Sequence, residues 1–159
     1  MADSDFDLTE PELTADDLLV LEDDHFTGET VAIVTGAASG IGQATAVALA
    51  ANDLTVVGAD IDESGLRETA DIAAEVDASG EIVPVETDLT DETEVEAMVE
   101  TAADHGDLRY VANIAGMQHI ASIPEFSMEQ YDLLLDIMLR APFFVSKLAM
   151  PHIRANADG

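Results

Sequence analysis

Four short strand-like runs alternating with helical stretches predict an α/β fold, a parallel sheet with helices on both faces and right-handed crossovers. Two features agree with that class. The first run passes through a glycine-rich turn directly into an alanine-rich helix, and 48% hydrophobic residues in 159 suffice for one buried core. A boundary is expected near residue 29, separating an acidic amino-terminal arm (1–28) from a partial sheet domain (29–159).

Thr30 to Val34 is a short run of the kind expected for a strand buried on both faces. The turn Thr35-Gly36-Ala37-Ala38-Ser39-Gly40-Ile41-Gly42 follows, then a helix from Gln43 to Ala51. Leu54 to Ala59 is the second strand, ended by Asp60. Residues 63–76 form an amphipathic helix with Leu66, Ile72, Ala73 and Val76 near helical spacing, terminated by Ser79-Gly80. Ile82 to Val85 is a third strand whose Pro84 suits an edge position. Asp91 and Glu94 have capping-box spacing at the start of a helix running to Ala103, and Leu108 to Ile114 is the fourth strand.

A last helix starts at Ser127, again with capping-box spacing, and continues to about Arg140. Met128, Tyr131, Leu134, Leu135 and Met138 recur at helical intervals, while Leu133 and Ile137 make it apolar almost all round, so burial on more than one side is expected. Pro142 should kink its continuation, and Lys147, His152 and Arg154 place cations toward the end that the helix dipole favours.

Thirty-four Asp and Glu against five Lys and Arg give a formal charge of −29. Phosphate binding needs clustered cations, so nucleic acid is excluded as an ordinary partner. Such a surface repels itself in dilute buffer, whereas at ~1 M salt the screening length falls to ~3 Å, so the composition suits a halophile's cytosol. The alternative is an acidic solubility surface in an ordinary cytoplasm. Residues 1–28 hold ten acids and no Lys or Arg and read as a solvated arm, in which Leu18 to Leu21 could dock as a turn or strand. There is no cysteine, hence no disulfide or thiolate chemistry. No secretory signal and no membrane-spanning apolar run is visible, which points to a cytoplasmic protein without a membrane partner. The four histidines lack metal-ligand spacing, and no Gly-x-Ser-x-Gly nucleophile turn occurs.

The turn at 35–42 carries the strongest chemical signal because it lies between a strand and a helix. Gly36 and Gly40 lack side chains that would block close backbone approach, and Gly42 permits tight packing. Freed amides and the positive helix end then face one anionic group, as a pyrophosphate requires; the alternative is a tight turn with no ligand. Asp60 follows Gly42 by 18 residues, where an acid accepts hydrogen bonds from an adenosine ribose and repels a 2′-phosphate, favouring NAD over NADP. The alternative is a plain turn residue.

At these positions the sequence resembles the short-chain dehydrogenases/reductases. Thr35 to Gly42 looks like the family's cofactor turn, Asp88-Leu89 like the pair beside the adenine, and Asn113-Ile114-Ala115-Gly116 like its Asn-Asn-Ala-Gly motif. The resemblance covers about residues 29–154 and implies a Rossmann-type fold and NAD as cofactor. It implies cofactor contacts from Gly36, Ser39, Gly40, Ile41, Gly42, Asp60, Asp88, Leu89, Asn113, Ala115 and Gly116. Gly116 to Ile120 is also similar to a segment of 3-hydroxybutyrate dehydrogenases whose glutamine binds the substrate carboxylate. Gln118 would take that role toward a small hydroxy acid, or is an ordinary loop residue.

The resemblance also implies a tyrosine base, a lysine four residues later and a serine that orients the substrate. A phenol near pKa ~10 needs a neighbouring cation to accept the alcohol proton as hydride leaves. Four residues beyond Tyr110 and Tyr131 stand Ile114 and Leu135, and four before Lys147, the sole lysine, stands Phe143. No Tyr-x-x-x-Lys pair exists, Met138 occupies the place of the family's helix asparagine, and no catalytic residue is assigned. The expectation is therefore the amino-terminal half of a dehydrogenase, truncated after the fourth strand and long helix. That strand would be left as a hydrophobic edge, covered by a complementing carboxy-terminal fragment or a homo-oligomer partner, or else poorly stable. Two functions fit: an NAD-dependent hydroxy-acid oxidoreductase, or a non-catalytic NAD-binding subunit.

Overall fold

The computed structural model describes residues 13–156. Its core is a four-stranded sheet in the order β3-β2-β1-β4, made of β1 (Thr30–Thr35), β2 (Thr55–Asp60), β3 (Glu81–Glu86) and β4 (Asp107–Asn113). All three pairings are parallel. The crossovers are α1 (Gly40–Ala51), α2 (Glu63–Glu75) and α3 (Glu92–His105). After β4 come α4 (Met128–Leu135), a π turn at Asp136–Arg140 and α5 (Ala141–Ala155). This is the expected α/β class with a parallel sheet of Rossmann type.

Side chains alternate across each strand, so the sheet feeds two cores. Val31, Ile33, Val57 and Ala59 pack on one face against Val95, Met98 and Val99 of α3 and Val145 and Ala149 of α5. Ala32, Val34 and Val56 pack on the other against Ala46, Val47 and Ala50 of α1 and Leu66 and Ala73 of α2. Every residue of β1 is buried, because it is paired on both edges and covered on both faces. β3 lies at one edge, so the missing N–H of Pro84 costs no ladder bond on its open side, as expected.

Several expectations need correction. α1 begins at Gly40 rather than Gln43, because the glycine turn itself enters the helix. α2 stops at Glu75 through Asp77, which adopts φ 54°, whereas Gly80 donates its N–H to the Ala50 carbonyl at 2.8 Å and belongs to the next connection. Asp91 caps α3, but Glu94 does not reach back to it. Its carboxylate accepts the Asp88 N–H at 2.7 Å instead. Ahead of Pro142 the helix widens into a π turn in which the Ala141 N–H donates to the Asp136 carbonyl. A proline ring collides with the carbonyl four residues back, here Met138, so the disturbance falls one turn upstream of the proline.

Over its described part the arm is largely exposed, as expected, but it is anchored to the domain. Leu13, Leu18 and Phe26 pack against the α1–α2 core. Asn52, at the end of α1, accepts the Leu21 N–H at 2.6 Å and donates to the Leu19 carbonyl at 2.9 Å. Its side-chain amide thus pairs an extended segment as a neighbouring strand would. Residues 1–12, with the acids there, lie outside the described residues. Finally, α4 buries no residue fully, contrary to the burial its composition suggested, and Met138, Leu139 and Phe143 are exposed. Among the described residues β4 is the other edge of the sheet.

Candidate functional site

The chain steps from β1 outward through β2 to β3, then returns to place β4 on the other side of β1. In such sheets the crevice beyond the carboxyl ends of the strands at this reversal is where ligands bind. Here it is a cleft of about 680 Å³, within the range of about 300–1,000 Å³ common for small-molecule sites.

Its floor is the turn between β1 and α1. The Gly36 N–H donates to the Ala59 carbonyl at 2.8 Å, tying the turn to β2. Gly36 has φ 73°, and a Cβ there would stand 2.8 Å from Ala115 Cα, so only glycine lets the β4 loop close on the turn. The Thr35 hydroxyl holds that loop by accepting the Ile114 and Ala115 N–H groups at 3.0 and 3.2 Å. Gly42 packs against the turn so closely that a Cβ would lie 2.5 Å from the Gly36 carbonyl carbon.

The opening of α1 differs from those of its neighbours. Asp62 and Asp91 fill the first amides of α2 and α3 with their own carboxylates, and α2, α3 and α4 each carry an acid in the first turn. Ser39 makes no such bond at α1, and that first turn carries no acid although the chain has 34 of them. Its amides are therefore left free toward the cleft, with the positive end of the helix behind them. This environment suits an anion.

Asp60 ends β2 at the cleft wall. One carboxylate oxygen accepts the Ala38 N–H at 3.3 Å and the other the Asp62 N–H at 3.1 Å, which aims the group and leaves lone pairs for a ligand hydroxyl. Asp88 turns one oxygen onto Thr90, whose N–H and hydroxyl donate at 2.8 and 2.7 Å. A cradle that tolerates no Cβ, open helix amides and a carboxylate beside them fit a dinucleotide diphosphate and its ribose.

Of the positions singled out from sequence, Gly36, Ser39, Gly40, Ile41, Gly42, Asp60, Asp88, Leu89, Ala115 and Gly116 all line this cleft. Asn113 and Gln118 do not. The Asn113 amide donates to Ser146 Oγ at 3.3 Å, joining β4 to α5, and Gln118 is exposed on the loop beyond. Sequence reasoning missed Ile61, Thr87 and Thr90, which follow the strand ends, and Leu133 and Ile137, which close the cleft from α4 and the π turn. The last two had a signal: they made the helix apolar all round. Part of that apolar surface faces the cleft rather than a packed core.

Among the described residues no cluster of His, Asp and Glu could hold a metal, and no helix is long and apolar enough to cross a membrane. Tyr110 packs edge-on against Phe26 at 6.1 Å between ring centres, and the Lys147 ammonium sits 5.8 Å over Phe144, so neither joins a proton-transfer pair.

Comparison with known proteins agrees with this geometry. The family model for short chain dehydrogenase matches residues 30–159. D-beta-hydroxybutyrate dehydrogenase of Cupriavidus necator is 35% identical over 132 residues, covering 80% of this chain and 49% of that protein. Glucose 1-dehydrogenase 2 of Bacillus subtilis is 34% identical over 133 residues, covering 82% and 50%. An uncharacterized oxidoreductase of Staphylococcus epidermidis is 30% identical over 132 residues, covering 82% and 55%. The chain thus spans about half the length of these relatives. With the glycine turn, the sheet reversal and the family match in agreement, the chain belongs to the short-chain dehydrogenase family.

Proposed function

We propose that this chain is the cofactor-binding part of an NAD-dependent oxidoreductase that moves hydride between nicotinamide and a small hydroxy acid resembling 3-hydroxybutyrate. The observation that carries the reading is the uncapped, acid-free first turn of α1 beside Asp60. Around it, Gly36, Ser39, Gly40, Ile41 and Gly42 would hold the diphosphate, Asp60 the adenosine ribose, and Asp88 and Leu89 the adenine side. Ala115 and Gly116 would border the nicotinamide side, with Asn113 supporting them from β4. When bound, the nicotinamide accepts or gives up hydride.

The Asp60 carboxylate at the cleft wall supports NAD over NADP, because it would oppose a 2′-phosphate. Gln118, through its amide donors, is the proposed contact for the substrate carboxylate, and the relative named D-beta-hydroxybutyrate dehydrogenase supports a short hydroxy acid as that substrate. No Tyr-x-x-x-Lys pair occurs in these 159 residues, so the proposal assigns proton transfer to groups outside this sequence. The same absence favours a second reading, an NAD-binding subunit without turnover of its own.

The high-acid surface supports work in a salt-rich cytosol. The exposed apolar face of α4 and α5 supports a further covering surface, from a homo-oligomer partner or a complementing carboxy-terminal fragment. Calorimetry in molar KCl should detect NAD binding to this chain and at least about tenfold weaker NADP binding, as expected for one lost charged hydrogen bond and a like-charge contact. Absence of NAD binding by a compact sample would refute both readings. Turnover of 3-hydroxybutyrate by this chain alone would refute the assignment of proton transfer elsewhere.

A further inference from the structure

Behind the glycine turn lies a polar network whose side chains, Thr69 and Gln43, do not line the cleft. Thr69, on the inward face of α2, is fully buried. Its hydroxyl lies 2.8 Å from the Ala37 carbonyl and 2.9 Å from that of Gly65, and it accepts from Gln43 Nε2 at 3.1 Å. A hydroxyl has one proton to give. The Gly65 carbonyl already receives the helical N–H of its own turn, whereas Thr69 is the donor that the described residues offer the buried Ala37 carbonyl. The other amide hydrogen of Gln43 reaches toward the Ala38 carbonyl at 3.5 Å.

The Ala37 carbonyl and the Ala38 N–H are the two ends of one peptide group. One end takes the Thr69 proton. The other donates to Asp60 Oδ2 at 3.3 Å. Because a peptide is planar, fixing its carbonyl fixes the direction of its N–H, and hydrogen bonding at one end polarises the group toward a stronger bond at the other. α2 can come this close because it presents Gly65, where a Cβ would stand 2.7 Å from the Ala38 carbonyl oxygen.

We propose that Thr69 and Gln43 are positioning residues that lock the Ala37–Ala38 peptide and thereby aim the Asp60 carboxylate, so setting the preference of the site for an unphosphorylated adenosine ribose. This rests on the NAD reading above. Neither residue lines the cleft. Thr69→Val keeps the shape and removes the proton, freeing the peptide to rotate and Asp60 to swing. Thr69→Ser keeps the proton.

The test combines calorimetric titration of NAD and of NADP in molar KCl with the Ala38 amide resonance of labelled protein, on the full chain. In Thr69→Val the amide should move upfield and exchange faster with solvent. NAD affinity should fall at least about tenfold, and NADP affinity less, so that their ratio narrows. Thr69→Ser should restore both readouts. A merely structural role would weaken the two dinucleotides alike and leave the ratio intact, which would overturn the inference, as would an unmoved Ala38 amide. Should Thr69→Val fail to fold, Gln43→Leu is judged by the same two readouts, with a smaller change in the same direction expected. If the unsubstituted chain binds neither dinucleotide, the nucleotide reading itself fails and this inference falls with it. A chain that binds NAD but keeps its ratio on substitution refutes the inference alone.

Discussion

Replacing Gly42 by alanine tests the cradle at its tightest point. The new Cβ would run into the Gly36 carbonyl oxygen and would lie 2.5 Å from that group's carbon and 3.1 Å from the Ala37 nitrogen, the carbon alone being nearly an ångström short of ordinary contact at 3.4 Å. Both neighbours are backbone, and the turn is tied to β2 through the Gly36 N–H, so it has no flexible end that can yield. Overpacking of this kind costs about 1–3 kcal/mol. For a domain of this size that corresponds to a fall of roughly 2–12 °C in the melting temperature. Parting α1 from the turn also misdirects the free amides. Losing one charged hydrogen bond to a diphosphate, worth about 1.5–3 kcal/mol, weakens binding roughly 10- to 150-fold. The assay is a thermal melt with calorimetric titration of NAD, both in molar KCl. Gly28→Ala is the control, since a Cβ there meets nothing within 4 Å. Parental NAD affinity and melting temperature in Gly42→Ala would refute the steric reasoning.

Ile33→Ala, at a fully buried position in the central strand, should destabilise the chain by about 2–5 kcal/mol, read by urea titration. A loss under about 0.5 kcal/mol would mean the sheet is not packed as described. Asn52→Ala removes the amide that pairs Leu19 and Leu21, so limited proteolysis should cut the arm near residues 18–24 faster, with little change in NAD affinity. An unchanged cleavage rate would show that the arm is held by its apolar anchors alone. The Ser64 hydroxyl and the Gly65 and Ser64 amides hold the Asp62 carboxyl below its usual 3.8. Lowered folded-state acids stabilise above the unfolded value and lose that contribution as pH falls through the folded one, so Asp62→Asn should flatten the loss of melting temperature below about pH 4. Molar KCl keeps relief of repulsion among other carboxylates from masking the slope; identical slopes would refute the cap.

Much of this molecule was legible in its residues. The central strand β1 was visible because a strand buried on both faces reads as an unbroken apolar, β-branched run, and the turn at 36–42 because glycine is needed where a Cβ would strike backbone. Asp60 was found by its place at the end of the second strand, and the Asp88-Leu89 pair through the family resemblance. Element boundaries were less secure. Asp77 in a left-handed conformation and the π turn ahead of Pro142 depend on energies of a single turn that composition does not report.

Residue order by itself determined the alternation of strands and helices, the glycine turn between the first strand and helix, and the lack of a Tyr-x-x-x-Lys pair within 159 residues, because each is a local pattern. Tertiary structure alone decided that Leu133 and Ile137 border the cleft and that Asn52 clasps the arm. It alone decided that Thr69 supports a peptide 32 residues earlier. These contacts arise where crossovers bring distant segments together, and a buried hydroxyl or amide is indistinguishable in sequence from an exposed one until the fold supplies its partner.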